Sequence, residues 1–299
     1  MRSIVIEKYL CCPVDKSYPL QVEEAEWNEN DLMSGTLRCS TCGAGYAVTG
    51  GIAHLLPQWD SEADPVWEAK LKEASARDLD ASVYDASLGT YESRAELSML
   101  TRAIQGKPGD LVLDLGAGTG RLSTILAETG AHVLAVDISY DSLKLNRARC
   151  ARITGAVVDH VVADVCYLPF RNALANIAGS GMLLEHIPTD DERRRFAEET
   201  YRVLQPGGRF ALTAYNYSWA KRRHGDREGY HGGDLYYHRF YSSELRELLN
   251  SYRVRTITAI LSRPGRALKS TVLDRFIALF PPVADVTGML LFAVVERQD

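Results

Sequence analysis

Residues Leu111 to Arg121, reading LVLDLGAGTGR, constrain the chain more than any other stretch. A short apolar run carrying an acid at Asp114 meets glycines at alternate positions, Gly116, Gly118 and Gly120, and then the helical spacing of Leu122, Ile125 and Leu126. This order predicts a strand, a tight turn and a helix N-terminus, the local plan of an open α/β nucleotide site. Glycines in such a turn permit positive φ and close approach of a ligand to the backbone, and the first helical turn offers N–H groups without intrahelical partners. The bland alternative is a βα turn that binds nothing. A dinucleotide fingerprint requires its third glycine at position 121, where Arg121 stands, so an NAD-dependent dehydrogenase is disfavoured. The acid ahead of the turn suits a cationic amino-acid ligand better than a pyrophosphate.

The next segments alternate in the same way. His132 to Asp137 reads as a second buried strand ending in an acid, Val157 to Ala163 as a third ending at Asp164, Ala175 to Ser180 as a fourth and Phe210 to Ala214 as a fifth, after a helix from Asp190 to Leu204. Arg253 to Ile260 and Met289 to Arg297 complete seven strands, with a helix over Val272 to Phe280 and then Pro281-Pro282 between them. An acid ending the second strand stands where a ribose diol is hydrogen-bonded, since one carboxylate accepts from both hydroxyls; capping of the next helix near Ser139 is the alternative for Asp137.

With these motifs in this order, the chain from Tyr84 onward resembles the class I S-adenosylmethionine-dependent methyltransferases. The resemblance implies an α/β, Rossmann-like seven-stranded sheet whose last strand is antiparallel. It implies that Asp114, Gly116, Ala117, Gly118 and Gly120 cradle the methionyl part of S-adenosylmethionine, that Asp137 with Ile138 takes the ribose, and that Asp164 accepts from the adenine amino group while Val165 packs on the ring. The segment Gly181-Met182-Leu183-Leu184-Glu185-His186-Ile187-Pro188 matches a common family stretch and brings Met182 to the cofactor, with His186 as a candidate general base or a loop anchor. The region ahead of the first strand closes over the cofactor in this family, which makes Tyr84, Tyr91 and Arg94 lid candidates. The fourth strand departs from the family in carrying Asn176 where an acid is usual. Between Tyr215 and Tyr241, aromatic and basic residues crowd into the connection that covers the acceptor in the resembling enzymes.

Four of the six cysteines, Cys11, Cys12, Cys39 and Cys42, fall in the first 42 residues, and no secretory signal precedes them, so metal binding is a better reading than disulfides. Cys39-Ser40-Thr41-Cys42 is a clean knuckle; the other pairs Cys12 with Asp15, or uses Cys11. Together with Leu37-Arg38, Gly45-Tyr46-Ala47-Val48 and Gly50-Gly51-Ile52-Ala53, this resembles the small zinc-ribbon modules that occur free in bacteria and as activating partners of RNA and protein methyltransferases. A structural zinc on Cys12, Asp15, Cys39 and Cys42 is the expectation. The domain plan is then a ribbon-like module over 1–57, a helical linker and lid over 58–107 with helices over Val66 to Leu79 and Tyr91 to Ile104, and a methyltransferase domain over 108–299.

The balance of 24% charged and 46% apolar residues is that of a globular protein, and the net charge of -5 argues against indiscriminate capture of nucleic acid or anionic membrane, although a local basic patch could hide within it. No apolar run reaches a membrane span and no signal peptide is legible, so a cytoplasmic address without a membrane partner is expected. The acidic balance favours a small-molecule acceptor over RNA. A cofactor-binding regulatory protein that has lost activity is a further alternative, kept open by Asp15 and Asn176.

Overall fold

The computed structural model describes residues 1–58, 64–81, 89–231 and 235–299. In chain order its elements are helix α1 (Ser3–Lys8), strands β1 (Gln21–Asn28), β2 (Asp31–Arg38), β3 (Gly45–Thr49) and β4 (Ile52–His54), and helices α2 (Pro65–Asp80) and α3 (Thr90–Ile104). There follow β5 (Leu111–Leu115), α4 (Arg121–Glu128), β6 (His132–Asp137), α5 (Tyr140–Cys150), β7 (Val157–Val162), β8 (Ala175–Ser180), α6 (Asp190–Val203) and β9 (Leu204–Tyr215). The C-terminal third holds α7 (Trp219–His224), β10 (Glu228–His231), β11 (Leu235–His238), α8 (Ser242–Leu248), β12 (Tyr252–Ser262), α9 (Arg263–Ala267), α10 (Thr271–Ala278), α11 (Pro281–Thr287) and β13 (Gly288–Arg297).

Strands β7, β6, β5, β8 and β9 run parallel in that spatial order, and β13 enters antiparallel between β9 and β12. Every residue of β5 is buried, as expected of a strand covered on both faces. The chain leaves β5 toward β6 and β7, then crosses back to β8 on the other side. Such a reversal opens a crevice outside the carboxyl ends of the strands. Asn176, where the family usually has an acid, ties β8 to β5: its Oδ1 accepts from the Leu111 N–H at 2.8 Å and its Nδ2 donates to Gln205 Oε1 at 3.2 Å.

The sheet does not stop at the expected seven strands. Strand β4 pairs in parallel with β7, through Ala53 opposite Val161 and His54 opposite Val162, and β3, β2 and β1 follow outward as antiparallel neighbours to make eleven. Left alone, β7 would expose a row of unpaired backbone groups; Ile52, Ala53 and Leu55, all buried, cover it. The junction is reinforced where Arg2 donates through Nε to the buried Asp159 of β7 at 2.8 Å. Two further boundaries differ from expectation. Strand β9 starts at Leu204, ahead of the expected glycine turn, and the helix expected over Val272 to Phe280 ends at Ala278, after which Pro281-Pro282 opens a further helix, since proline at the first helical positions gives up no needed hydrogen bond.

Gly120 precedes α4 with φ +96°, and a Cβ built on it would lie 2.8 Å from the side chain of Asn146 on α5. Gly120→Ala is expected to cost about 2 kcal/mol through backbone strain and this clash, read as a lower urea midpoint; an unchanged midpoint would mean that the turn relaxes freely.

Candidate functional site

The crevice at the carboxyl edge is a cavity of about 480 Å³. Its floor is the turn after β5, where Gly116 and Gly118 take φ +74° and +48°, and a Cβ on Gly118 would meet nothing within 4 Å. Asp137 fastens that turn: Oδ2 accepts the Gly118 N–H at 2.8 Å and Oδ1 the Ser139 N–H at 2.9 Å, which leaves further lone pairs on both oxygens. Ser139, and not Asp137, caps α5, its hydroxyl accepting from the Ser142 N–H. Asp114 is buried beside it and accepts from the Ser123 hydroxyl. Burial raises the pKa of Asp114 to about 7, opposed by the Ser123 hydrogen bond and assisted by the nearby Asp137, itself raised by burial. Two carboxylates thus meet at one wall, with the charge of Arg121 acting on Asp114.

Of the residues expected from sequence, Asp114, Gly116, Ala117, Gly118, Asp137, Ile138, Asp164, Val165, Met182 and His186 all line this cavity. Gly120 does not. It faces Asn146, so its glycine serves helix packing and not ligand approach. Tyr84 lies outside the described residues. Tyr91 and Arg94 are not among the lining residues: the Tyr91 hydroxyl is buried without a partner, and Arg94 is exposed.

The cover comes instead from α2. Lys70, Glu73 and Arg77 lie at i, i+3 and i+7 on one helical face, and all three line the cavity. Lys70 Nζ donates to Asp164 Oδ2 at 2.6 Å and to Glu192 of α6, while Asp164 Oδ1 accepts the Cys166 N–H. The expected adenine-side acid is therefore already paired with a cation. Further along α2, Asp78 accepts from the Ser139 hydroxyl at 2.6 Å and from the Asp141 N–H at 3.0 Å. The sequence signal for this cover was the repeat of charged residues on one face of a helix with little apolar surface.

His186, Glu73, Tyr230 and Tyr236 also line the cavity, with His186 Nδ1 4.0 Å from Glu73 Oε1. The carbonyl of Tyr236 lies 2.7 Å from His186 Nδ1. Because a carbonyl only accepts, Nδ1 carries the proton and Nε2 keeps its lone pair. Burial pushes the imidazole pKa down to about 3, so the ring is neutral. Tyr230 and Tyr236 face each other across the β10–β11 hairpin, within the aromatic and basic connection. Met182, at the end of β8, sits at φ +51° with its N–H donated to Thr213 Oγ1 at 3.0 Å, a strained backbone held at the cavity edge. Glu185, missed from sequence as anything but part of a motif, is fully buried with no other side chain among the described residues bonded to its carboxylate, and burial raises its pKa to about 8, opposed by its own backbone N–H.

A second cluster lies in the N-terminal part. The ligand atoms of Cys12, Asp15, Cys39 and Cys42 all fall within 4.8 Å of one another. Cys12 and Cys42 sulfurs are 3.7 Å apart and Cys39 Sγ is 3.5 Å from Asp15 Oδ2. A tetrahedral ion with bonds of about 2.3 Å to sulfur separates its sulfur ligands by roughly 3.8 Å, so the set fits one. The Ser17 hydroxyl donates to Asp15 Oδ1, and lies 2.9 Å from Cys39 Sγ, which orients both groups. Hydrogen bonds from Ser17 hold the Asp15 carboxyl well below the usual range. Cys11 is outside the cluster; it is buried, which pushes its thiol up to about 12.

Residues 113–212 match the family model described as a methyltransferase domain. Sheet order, switch point and this match make the segment a methyltransferase domain of the class I S-adenosylmethionine-dependent fold. Among similar proteins, a demethylmenaquinone methyltransferase of Clavibacter sepedonicus is 37% identical over 116 residues, covering 39% of this chain and 45% of that protein. A tRNA (carboxymethyluridine(34)-5-O)-methyltransferase of Arabidopsis thaliana is 27% identical over 136 residues, 44% of this chain and 31% of that one. The chain thus spans less than half the length of either relative. The crystal structure of a Burkholderia thailandensis 1,6-didemethyltoxoflavin-N1-methyltransferase, with 1,6-didemethyltoxoflavin and S-adenosylhomocysteine bound, aligns with a TM-score of 0.54 over 92% of this chain and all of that one at 19% identity, which is a likeness of fold.

The raised pKa of Asp114 has a signed consequence. Its ionisation costs the ligand-free fold stability as pH rises from the unfolded carboxylate range through about 7. Asp114→Asn, which keeps an acceptor for Ser123, is therefore expected to gain on the wild-type melting temperature as pH rises from 5 to 8, standing several degrees above it at pH 8. A gap that shrinks with pH in thermal scans would contradict this.

Proposed function

We propose that the protein transfers a methyl group from S-adenosylmethionine to an oxygen, nitrogen or carbon of a small molecule, and that Cys12, Asp15, Cys39 and Cys42 hold a structural zinc ion. One observation carries the first reading: acids at or near the carboxyl ends of β5, β6 and β7 and the open backbone at Gly118 line one cavity. When bound, the cofactor supplies an electrophilic methyl on a positively charged sulfur. Asp114 holds the amino-acid end, with its charge offset by the ligand's ammonium. Asp137 accepts from the ribose hydroxyls through the lone pairs left by Gly118 and Ser139, and Val165 packs on the base. Asp164 reaches the adenine amino group only through lone pairs not taken by Lys70 and the Cys166 N–H.

In the same cavity His186 Nε2 accepts a hydrogen bond from an acceptor N–H or O–H and turns the attacking lone pair toward the methyl. Positioning of this kind supplies several kcal/mol without a strong base. A cavity walled by Tyr230, Tyr236, Leu97 and Leu100, in a chain of net charge -5, supports a compact acceptor over a polynucleotide. The zinc reading rests on the sulfur spacing; a closed four-ligand site of this kind stabilises its module and does no chemistry.

Two measurements test these readings. Calorimetric titration is expected to give binding of S-adenosylhomocysteine but not NADH, weakened tenfold or more in Asp114→Asn through loss of a charged hydrogen bond, and labelled cofactor is expected to mark a metabolite fraction. Binding of NADH alone, or label confined to RNA, would overturn the cofactor or the acceptor reading respectively. Metal analysis of the purified chain is expected to give one zinc per molecule, lost in Cys39→Ser along with several degrees of thermal midpoint; a metal-free chain of full stability would remove the ion from the account.

A further inference from the structure

Helices α9, α10 and α11 present an apolar face that nothing in the described fold covers. Val272 and Phe276 on α10 are 74% and 59% exposed, Leu268 ahead of them 71%, and Leu279 between the helices 73%. Phe280 continues the face by ring contact with Phe276, and Val283 and Val286 extend it along α11. Val272 and Phe276 stand one turn apart on α10, and Val283 and Val286 one turn apart on α11, with Leu279 and Phe280 at the bend between the two helices, and all of them are exposed. Scattered exposed aliphatics need no explanation; a contiguous set of this size marks an interaction surface.

Its border is cationic. Arg263 and Lys269 are exposed at one side, and α7, which packs against α11, brings exposed Lys221, Arg222 and Arg223, with Arg223 stacked over the half-exposed Trp219 at 4.0 Å. The acids of the same segment are turned away. Asp274 is buried under the N–H groups of Leu261 and Ser262, and Asp285 accepts from the Ser242 hydroxyl. A chain whose net charge is -5 therefore gathers positive charge around this exposed apolar face. Aliphatic and aromatic residues ringed by lysine and arginine, with a tryptophan at the margin, match the boundary between acyl chains and anionic headgroups. Polyphosphate recognition would use the cations but leave the apolar stripe in water. A two-fold pairing of this face with itself would set cation against cation, which costs affinity.

We propose that residues 263–287 together with α7 form a peripheral docking surface for an anionic lipid bilayer. The face rests on the surface and does not span it, for no helix among the described residues is long and apolar enough to cross a membrane. This surface is distinct from the cavity and does not depend on which acceptor the cavity takes.

The test uses the full chain and vesicles of phosphatidylcholine with or without phosphatidylglycerol, read by co-sedimentation. Binding to the anionic vesicles is expected to be at least tenfold tighter than to phosphatidylcholine alone and to weaken with added salt. The double variant Val272→Asp, Leu279→Asp, and separately the variant Arg223→Glu, Lys269→Glu, are each expected to lower it tenfold or more, with circular dichroism, thermal midpoint and S-adenosylhomocysteine binding unchanged because all four residues are exposed. Absence of vesicle binding, or variants that bind as well as wild type, would overturn the proposal. So would sedimentation of the wild type as a dimer that Val272→Asp, Leu279→Asp converts to a monomer, which would assign the face to a second copy.

Discussion

The hydrogen bond from the Gly118 N–H to Asp137 is the contact on which the rest of the site depends. It joins the turn after one strand to the last residue of the next, and the same carboxylate reaches on to Ser139 at the start of α5. A part-buried carboxylate is costly unless its oxygens are bonded, and a glycine-rich turn is costly in conformational entropy unless something holds it. Each answers the need of the other. The outcome is a stretch of bare backbone facing the cavity in fixed position, against which Asp114, Val165 and His186 take their places.

Helix α2 completes the enclosure by electrostatics and not by apolar burial. Lys70 sits between the carboxylates of Asp164 and Glu192, each almost removed from water, while Asp78 grips the start of α5. Buried ion pairs of this kind add little net stability compared with apolar packing, but breaking one by removing a single partner is costly. Their effect here is geometric: they fix the rotation of a helix that has only a thin apolar stripe to orient it, and so keep Glu73 and Arg77 turned into the cavity. The strained Met182 and the buried Glu185, both on the segment that follows β8, show the same region accepting local cost beside the pocket.

Much of this was legible in the sequence because it is local. The turn at Gly116 to Gly120, the acids closing their strands at Asp137 and Asp164, and the knuckle at Cys39 and Cys42 are set by residues within a few positions of one another. What escaped is set across the fold. Nothing near Lys70 in sequence announces a partner 94 residues away at Asp164. The pairing of β4 with β7 depends on which strand edge is left bare after folding, and a three-residue strand carries almost no pattern of its own. Gly120 was read as a ligand glycine because it completes a motif; its true neighbour, Asn146, lies on another helix.

The parallel ladder between β4 and β7 makes the thiol cluster and the nucleoside pocket two ends of one beam. Cys42 lies three residues before β3, β3 holds β4, β4 flanks β7, and two residues past the end of β7 comes Asp164. Order lost at the sulfurs would travel to the pocket along this ladder of backbone hydrogen bonds, through β3, β4 and β7 in turn.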